Sequence, residues 1–285
     1  MLRRVIISTV LLILGLCGFS FAQELGGVAQ EVEGFSLMQY KDAGEKRWKL
    51  LGKSAEVEGE RIKISEISAV IFGKNTVFKL KAREGDFDKE QHLVCLEDDV
   101  IIKTTDGIKF TTDFLQWDTK TENMFTDAPV SIKRTDFEVN GRGATYNLEQ
   151  EISELKKDVV ANIGSLKRNA LRHTGDAIEA ANNKTQDVTI TCDGPLEINY
   201  KKNQAIFKNN VKVENIQGNI FADRIDVYFK QDTKEVRCVA ARGNVRIING
   251  NNVTYSEKAI YLVDQGRLIL PKRPKLVIQN EPPKQ

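Results

Sequence analysis

Few side chains in this 285-residue chain could do covalent or metal chemistry. The two histidines are His92 and His173, and neither lies in a nucleophile-elbow sequence that would let it act as the base of a Ser/His/Asp site. Apart from Cys17 near the N-terminus the thiols are Cys95, Cys192 and Cys238, with no C-x-x-C among them. Two histidines and three scattered thiols lack the ligand spacing of structural zinc, so no metal is expected. Glu97-Asp98-Asp99 gathers carboxylates as glycoside hydrolysis would require, but the run precedes a strand and reads as a solvated turn. No G-x-x-x-x-G-K-[ST] occurs, so no nucleotide cofactor is expected and ATP-driven work falls to a partner. Gly141 and Gly143 fit no dinucleotide fingerprint and suit a bend or bulge in a strand. With so little to catalyse with, the chain reads as a non-enzyme.

Charge narrows the partners. Lys+Arg number 42 against 40 Asp+Glu, which excludes the basic excess of a nucleic-acid binder. Arg3 and Arg4 precede an uncharged apolar run from Val5 to Phe21, and Ser20-Phe21-Ala22 places small residues at −3 and −1 of a cut before Gln23. Residues 1–22 are therefore an export signal or, since the apolar run is at the short limit for a spanning helix, an uncleaved inner-membrane anchor at residues 5–21. Both fates stay open. Once Arg3 and Arg4 are removed, acidic and basic residues balance, so attraction by net charge plays no part.

The elements that carry these residues are strands. Val100 and Ile102, Val130 and Ile132, Val211 and Val213, Ile225-Val227-Phe229, and Val245 and Ile247 all alternate with polar neighbours. Turn-formers separate them: Asp106-Gly107, Asp118-Thr119-Lys120, Asp193-Gly194-Pro195, Asn209-Asn210, Gly243-Asn244 and Asn249-Gly250. The pattern predicts an all-β fold. Residues 209–229 also lie over 243–263 at an offset of 34, with Val211-x-Val213 on Val245-x-Ile247 and Asp223-Arg224 on Glu257-Lys258. A third, looser copy begins at Val100-x-Ile102 and runs to Trp117. Repeated units with one apolar face each suit a stacked β architecture, in which neighbours complete one another's core. Between the halves, residues 164–186 lose the period and read as a linker.

The first half resembles the LptC family of lipopolysaccharide-transport proteins. The likeness rests on Trp48-x-Leu50, Ala82-Arg83-x-Gly85, Asp113-x-Leu115-x-Trp117, Thr126-Asp127-x-Pro129-Val130 and Val139-x-Gly141-x-Gly143. The second half resembles the LptA/OstA domain through its paired N/G-N-V-x-V/I strand starts and Ala222-Asp223. The resemblance implies two tandem open β-jellyrolls, at 31–163 and 187–278, with a tail at 279–285. It further implies a periplasmic carrier that takes lipopolysaccharide from an inner-membrane ABC extractor and stacks end to end with other LptA/LptD-like jellyrolls. By the same resemblance Gly141 and Gly143 mark a docking edge, an alternative to the bend. Members of the first type usually keep their anchor, whereas Ser20-Phe21-Ala22 admits cleavage here, and the second domain is short for a free-standing LptA.

Such a task has a physical requirement. Exposing an acyl chain of about a dozen carbons to water costs on the order of 10 kcal/mol, at roughly 0.8 kcal/mol per CH₂. A carrier needs a continuous apolar trough, and inward parity nominates Phe110, Leu115, Trp117, Val211, Val213, Ile225, Val227, Phe229, Val245, Ile247 and Tyr261 as its lining. They serve equally as ordinary core. Cys192 and Cys238 share the second domain, and export permits them to form a disulfide. Lys272-Arg273 and Lys275 suit either lipid phosphates or a basic edge that discourages stray strand pairing. The competing functional readings are a structural adaptor of the cell envelope without lipid cargo and, less favoured, an exported polysaccharide-active enzyme.

Overall fold

The structure, a computed structural model, describes residues 30–41, 44–135, 137–164, 188–215, 218–271 and 273–278. The expected export segment or anchor at 1–22, nearly all of the expected linker at 164–186, Lys272 and the expected tail at 279–285 lie outside the described residues. The first nine strands are β1 (Gln30–Tyr40), β2 (Lys46–Glu58), β3 (Arg61–Phe72), β4 (Val77–Asp88), β5 (Leu93–Thr104), β6 (Lys109–Asp118), β7 (Asn123–Arg134), β8 (Phe137–Asn147) and β9 (Ile152–Ile163). The remainder are β10 (Val188–Cys192), β11 (Leu196–Asn199), β12 (Gln204–Asn215), β13 (Gly218–Phe229), β14 (Val236–Asn249), β15 (Asn252–Leu262), β16 (Arg267–Ile269) and β17 (Lys275–Val277).

All seventeen belong to one antiparallel sheet, in which neighbours in sequence are neighbours in space. The all-β expectation holds, and the two tandem units share a single ladder. β10 and β11 act as one interrupted strand, each pairing with β9 on one side and β12 on the other. Alternation is the cause. β4 reads VFKLKAREGDFD, with Phe78, Leu80, Ala82 and Phe87 buried and the lysines between them exposed.

Most strands are too long to stay straight, and they kink near the middle. Positive φ occurs at Glu66 in β3, Asp98 and Asp99 in β5, Asp158 in β9, Asn209 and Asn210 in β12, and Gly243 and Asn244 in β14. The pairing slips at the same places, for example between Lys81 and Glu84 opposite Ile101 and Glu97, and between Lys208 and Val211 opposite Arg224 and Ala222. These kinks correct the sequence reading of Asn209-Asn210 and Gly243-Asn244 as turns. Asn and Asp tolerate the left-handed region, so such a pair can bend a strand without reversing it. Asp98-Asp99-Val100, Asn209-Asn210-Val211 and Gly243-Asn244-Val245 thus share one local design: two bending residues followed by a buried valine. The 34-residue repeat is this kinked hairpin, β12–β13 recurring as β14–β15.

Two core clusters fill the fold. One takes β2 to β6 and the start of β7, with Trp48, Phe78, Phe87 and Trp117 among its buried members. The other runs from Val130 in β7 to Ala259 in β15; Phe207 is its single buried aromatic, and six of its members are alanines. The division falls inside β7, so β8 and β9 pack with the strands beyond the linker.

Candidate functional site

The row of kinks separates each long strand into two arms, and inward residues on successive strands stand directly opposite one another. Along one arm the partners form an unbroken series: Leu37–Leu50–Ala69–Leu80–Ile102–Phe110–Ile132–Val139. It continues as Ala161–Ile190–Val213–Ile220–Ile247–Thr254–Leu276. Along the other arm Val57–Ile62–Phe87–Val94–Trp117–Met124–Tyr146–Ser153 leads into Ile198–Ala205–Val227–Val239–Tyr261–Leu268. Two almost wholly apolar rails therefore span the sheet, one on each arm.

In the first half the rails meet. Trp48 stands edge-on to Trp117 at 5.5 Å and to Phe87 at 6.4 Å, and Phe78 lies 5.4 Å from Tyr146. Each pair joins one arm to the other. Arg47 Nε reaches Glu122 Oε1 at 2.7 Å, and Asn75 donates to Glu151 at 2.8 Å, so strand ends are tied as well. Burial pushes the Tyr146 phenol well above its usual pKa, which keeps it neutral in this wall-to-wall packing. Such a closed, aromatic interior is core.

In the second half the rails lose burial toward the last strands. Ile190 is 3% exposed, Val213, Ile220 and Ile247 are half-buried, and Leu276 is 58% exposed. The other rail runs from Val227 at 2% through half-buried Val239 and Tyr261 to Leu268 at 45%. Twelve partly buried apolar side chains border this cluster, against five for the first. Together these make a strip of apolar surface that opens toward the C-terminal edge.

The nominated lining residues divide accordingly. Val211, Ile225, Val227 and Val245 form the buried floor beside the kinks. Val213, Phe229, Ile247 and Tyr261 stand half-buried toward the strand ends. Leu115 and Trp117 are packed into the aromatic interior of the first half, where Trp117 is 1% exposed. Phe110 touches both clusters and marks the junction.

The remaining nominations fare differently. Gly141 and Gly143 are not on an edge; β8 is flanked by β7 and β9, and the ladder slips beside Asn140 and Arg142. A Cβ on Gly141 would lie 3.1 Å from Leu155 Cδ2, and Gly143 has φ of 72°. Both are bend residues. Cys192 and Cys238 are free thiols. Cys192 lies inward on β10 and Cys238 outward on β14, three strands away, or about 14 Å at ordinary strand spacing. Burial raises the Cys192 thiol, which leaves it unreactive. No group of three His, Cys, Asp or Glu side chains among the described residues is placed to hold a metal.

One cluster escaped the sequence reading. Asp226 is fully buried on the outer face of β13, where Oδ1 accepts from Arg224 Nε at 2.7 Å and Oδ2 forms an ion pair with Arg242 Nε at 2.9 Å. The i, i+2 spacing of Arg224 and Asp226 was the available signal; Arg242 comes from a cross-strand pair that only register reveals.

Residues 29–163 match the family model described as lipopolysaccharide-assembly, LptC-related, and residues 190–281 match that of the LptA/(LptD N-terminal domain) LPS transport protein. The chain joins an LptC-related segment to an LptA-like one. It is thus a lipopolysaccharide-transport protein of the periplasm. No curated protein matches it. Among solved structures, LptH, described as the LptA homologous periplasmic component of the lipopolysaccharide transport device from Pseudomonas aeruginosa, aligns over 71% of this chain and 95% of its own at 11% identity and a TM-score of 0.25. So loose an overlap places no residue, and the rails remain the guide to the site.

Proposed function

We infer that the LptA-like half of this LptC–LptA fusion carries the acyl chains of lipopolysaccharide between its rails and releases them at its C-terminal edge. The observation that supports this most is the continuous loss of burial along both rails, from Ile190 and Val227 to Leu276 and Leu268. A strip of apolar side chains offered progressively to solvent is costly for a protein to maintain unless something covers it. An acyl chain fits its length and chemistry. The chain works as a carrier and not as an enzyme, and an inner-membrane ABC transporter supplies the cargo and the energy. Another LptA- or LptD-like jellyroll accepts the lipid beyond β17.

The domain reading follows: an export segment or anchor at 1–22, an LptC-like unit at 31–163, a linker at 164–186 and an LptA-like unit at 187–278. Its β9–β10 ladder makes the two units one conduit wall. The packed interior around Trp48 and Trp117 favours a second role for the LptC-like unit, that of an adaptor which docks without holding lipid. Photo-crosslinking side chains at Val213, Ile247 and Tyr261, compared with others at Val94 and Leu96, test both roles. Lipopolysaccharide captured at the first set and not at the second is the expected result. Capture at neither set would leave the whole chain an adaptor and overturn the carrier reading.

A further inference from the structure

The outer face of the LptA-like half bears a second ladder. Lys212 stands opposite Phe221, Phe221 opposite Arg246, Arg246 opposite Tyr255, and Tyr255 opposite Lys275. Cation and aromatic alternate across β12, β13, β14, β15 and β17. The Arg246 guanidinium lies 4.3 Å from the Phe221 ring centroid and the Lys212 ammonium 6.0 Å from it, so the ring props both cations. Lys212 is also paired with Glu214 at 2.6 Å. Arg246, Arg273 and Lys275 have no ion-pair partner among the described residues. These three line a concavity of about 640 Å³ beside the kinks. Asp223 and Glu257 line it too, one row nearer the kinks, and Asp223 already accepts from Asn244 Nδ2 at 2.9 Å.

We propose that this concavity binds a phosphorylated sugar, and that the sugar is the headgroup of the transported lipid. A guanidinium stacked on a ring keeps its N–H edge free, and that planar fork matches a phosphate with two parallel hydrogen bonds. Arg273 and Lys275 add charge from the opposite side. The site is not a generic consequence of the kinks. The corresponding outer hollow of the LptC-like half is lined by Glu31, Glu56, Glu84, Asp86 and Glu97 with Lys63 as its one cation. The headgroup assignment rests on the carrier reading and on one element: β17 turns Lys275 outward into the concavity and Leu276 inward onto the rail. Acyl chains leaving the trough at that edge bring their saccharide within reach of Lys275.

The full chain and its Arg246→Gln/Lys275→Gln variant, both checked for unchanged melting temperature, are titrated with three probes: lipopolysaccharide, the same lipid stripped of phosphate, and glucosamine 6-phosphate. The wild type should hold the phosphorylated lipid on the order of tenfold tighter than the stripped one. The variant should lose that preference while keeping its affinity for the stripped lipid, and Arg246→Lys should restore part of it. A wild type without preference, or a variant that retains it, overturns the proposal and leaves the trough intact. A wild type that binds neither lipid sinks the carrier reading and the headgroup assignment together. In that case binding of glucosamine 6-phosphate by the wild type alone would make the site one for a soluble sugar phosphate, and no binding would remove the site.

Discussion

The two halves of this protein are built from the same kinked hairpin, yet one is filled with aromatics and the other loses burial toward its last strands. In the LptC-like half, large aromatics reach across from both arms and meet, as Trp48 does with Trp117 and Phe87. In the LptA-like half Phe207 is the single buried aromatic, and alanines are frequent among the buried residues, as at Ala205, Ala241 and Ala259. The two interiors therefore differ in the size of their buried side chains. Charge also divides the halves, since the outer hollow beside the kinks has five carboxylates and one cation in the first half, and three cations with two carboxylates in the second.

The contrast is open to test. The largest effects belong to the floor and the closed core. Trp117→Ala should cost ~3–5 kcal/mol through the cavity it leaves, and Ile225→Asp a similar ~3–5 kcal/mol through an unpaired buried charge. Both should appear as large drops in denaturation midpoint. A Trp117→Ala protein that melts like the wild type would mean that the first half is not packed.

Next comes the bend that joins the halves. Gly143→Ala forces a side chain into the left-handed region and should cost ~1–3 kcal/mol, with melting temperature and partner binding falling together. Loss of partner binding with unchanged melting would restore the docking-edge reading of Gly141 and Gly143.

The rim separates stability from function. Val213→Asp or Ile247→Asp should change stability by about 1 kcal/mol or less, because the charge reaches water at a half-buried site. Lipopolysaccharide affinity should fall at least tenfold, a change of ~1.4 kcal/mol. Unfolding of both variants in a urea titration would make the second half as solid as the first. At the mouth, Leu268→Ser with Leu276→Ser should leave stability within ~0.5 kcal/mol and equilibrium binding nearly intact. It should slow transfer of fluorescent lipopolysaccharide to a second LptA-like domain. Unchanged transfer would place the exit elsewhere.

The smallest effect is chemical. Cys192 should resist alkylation near pH 8, because burial raises its pKa and the thiolate is the reacting species. Its labelling should rise only at higher pH or on unfolding, whereas half-exposed Cys238 should label first in the folded protein. Mass spectrometry of unreduced protein that finds the two bridged would refute the placement of Cys192 inward and Cys238 outward.

Much of this was legible in the residues. Alternation at Val211-x-Val213 and Val245-x-Ile247 named the strands and the inward set, because a period of two admits no other element. The offset of 34 identified the repeating hairpin. Asn209-Asn210 was misread, since the same φ preference serves a turn and a kink, and only pairing on both sides distinguishes them. The fate of Leu115 and Trp117 was equally hidden, because parity says which face a residue takes and not how far the facing arm lies.

Sequence by itself thus determined the all-β class, the near-neutral charge and the inward or outward sense of each strand residue. These are local properties, set by side-chain chemistry and a two-residue period. The tertiary structure decided which inward residues touch: register aligned residues from Leu37 to Leu276 into a rail, brought Trp48 against Trp117, and left Leu268 and Leu276 exposed at the far end. It also placed Lys212, Phe221, Arg246, Tyr255 and Lys275 side by side. Contacts between residues tens of positions apart depend on how the whole ladder pairs and bends, and no stretch of the chain encodes that alone.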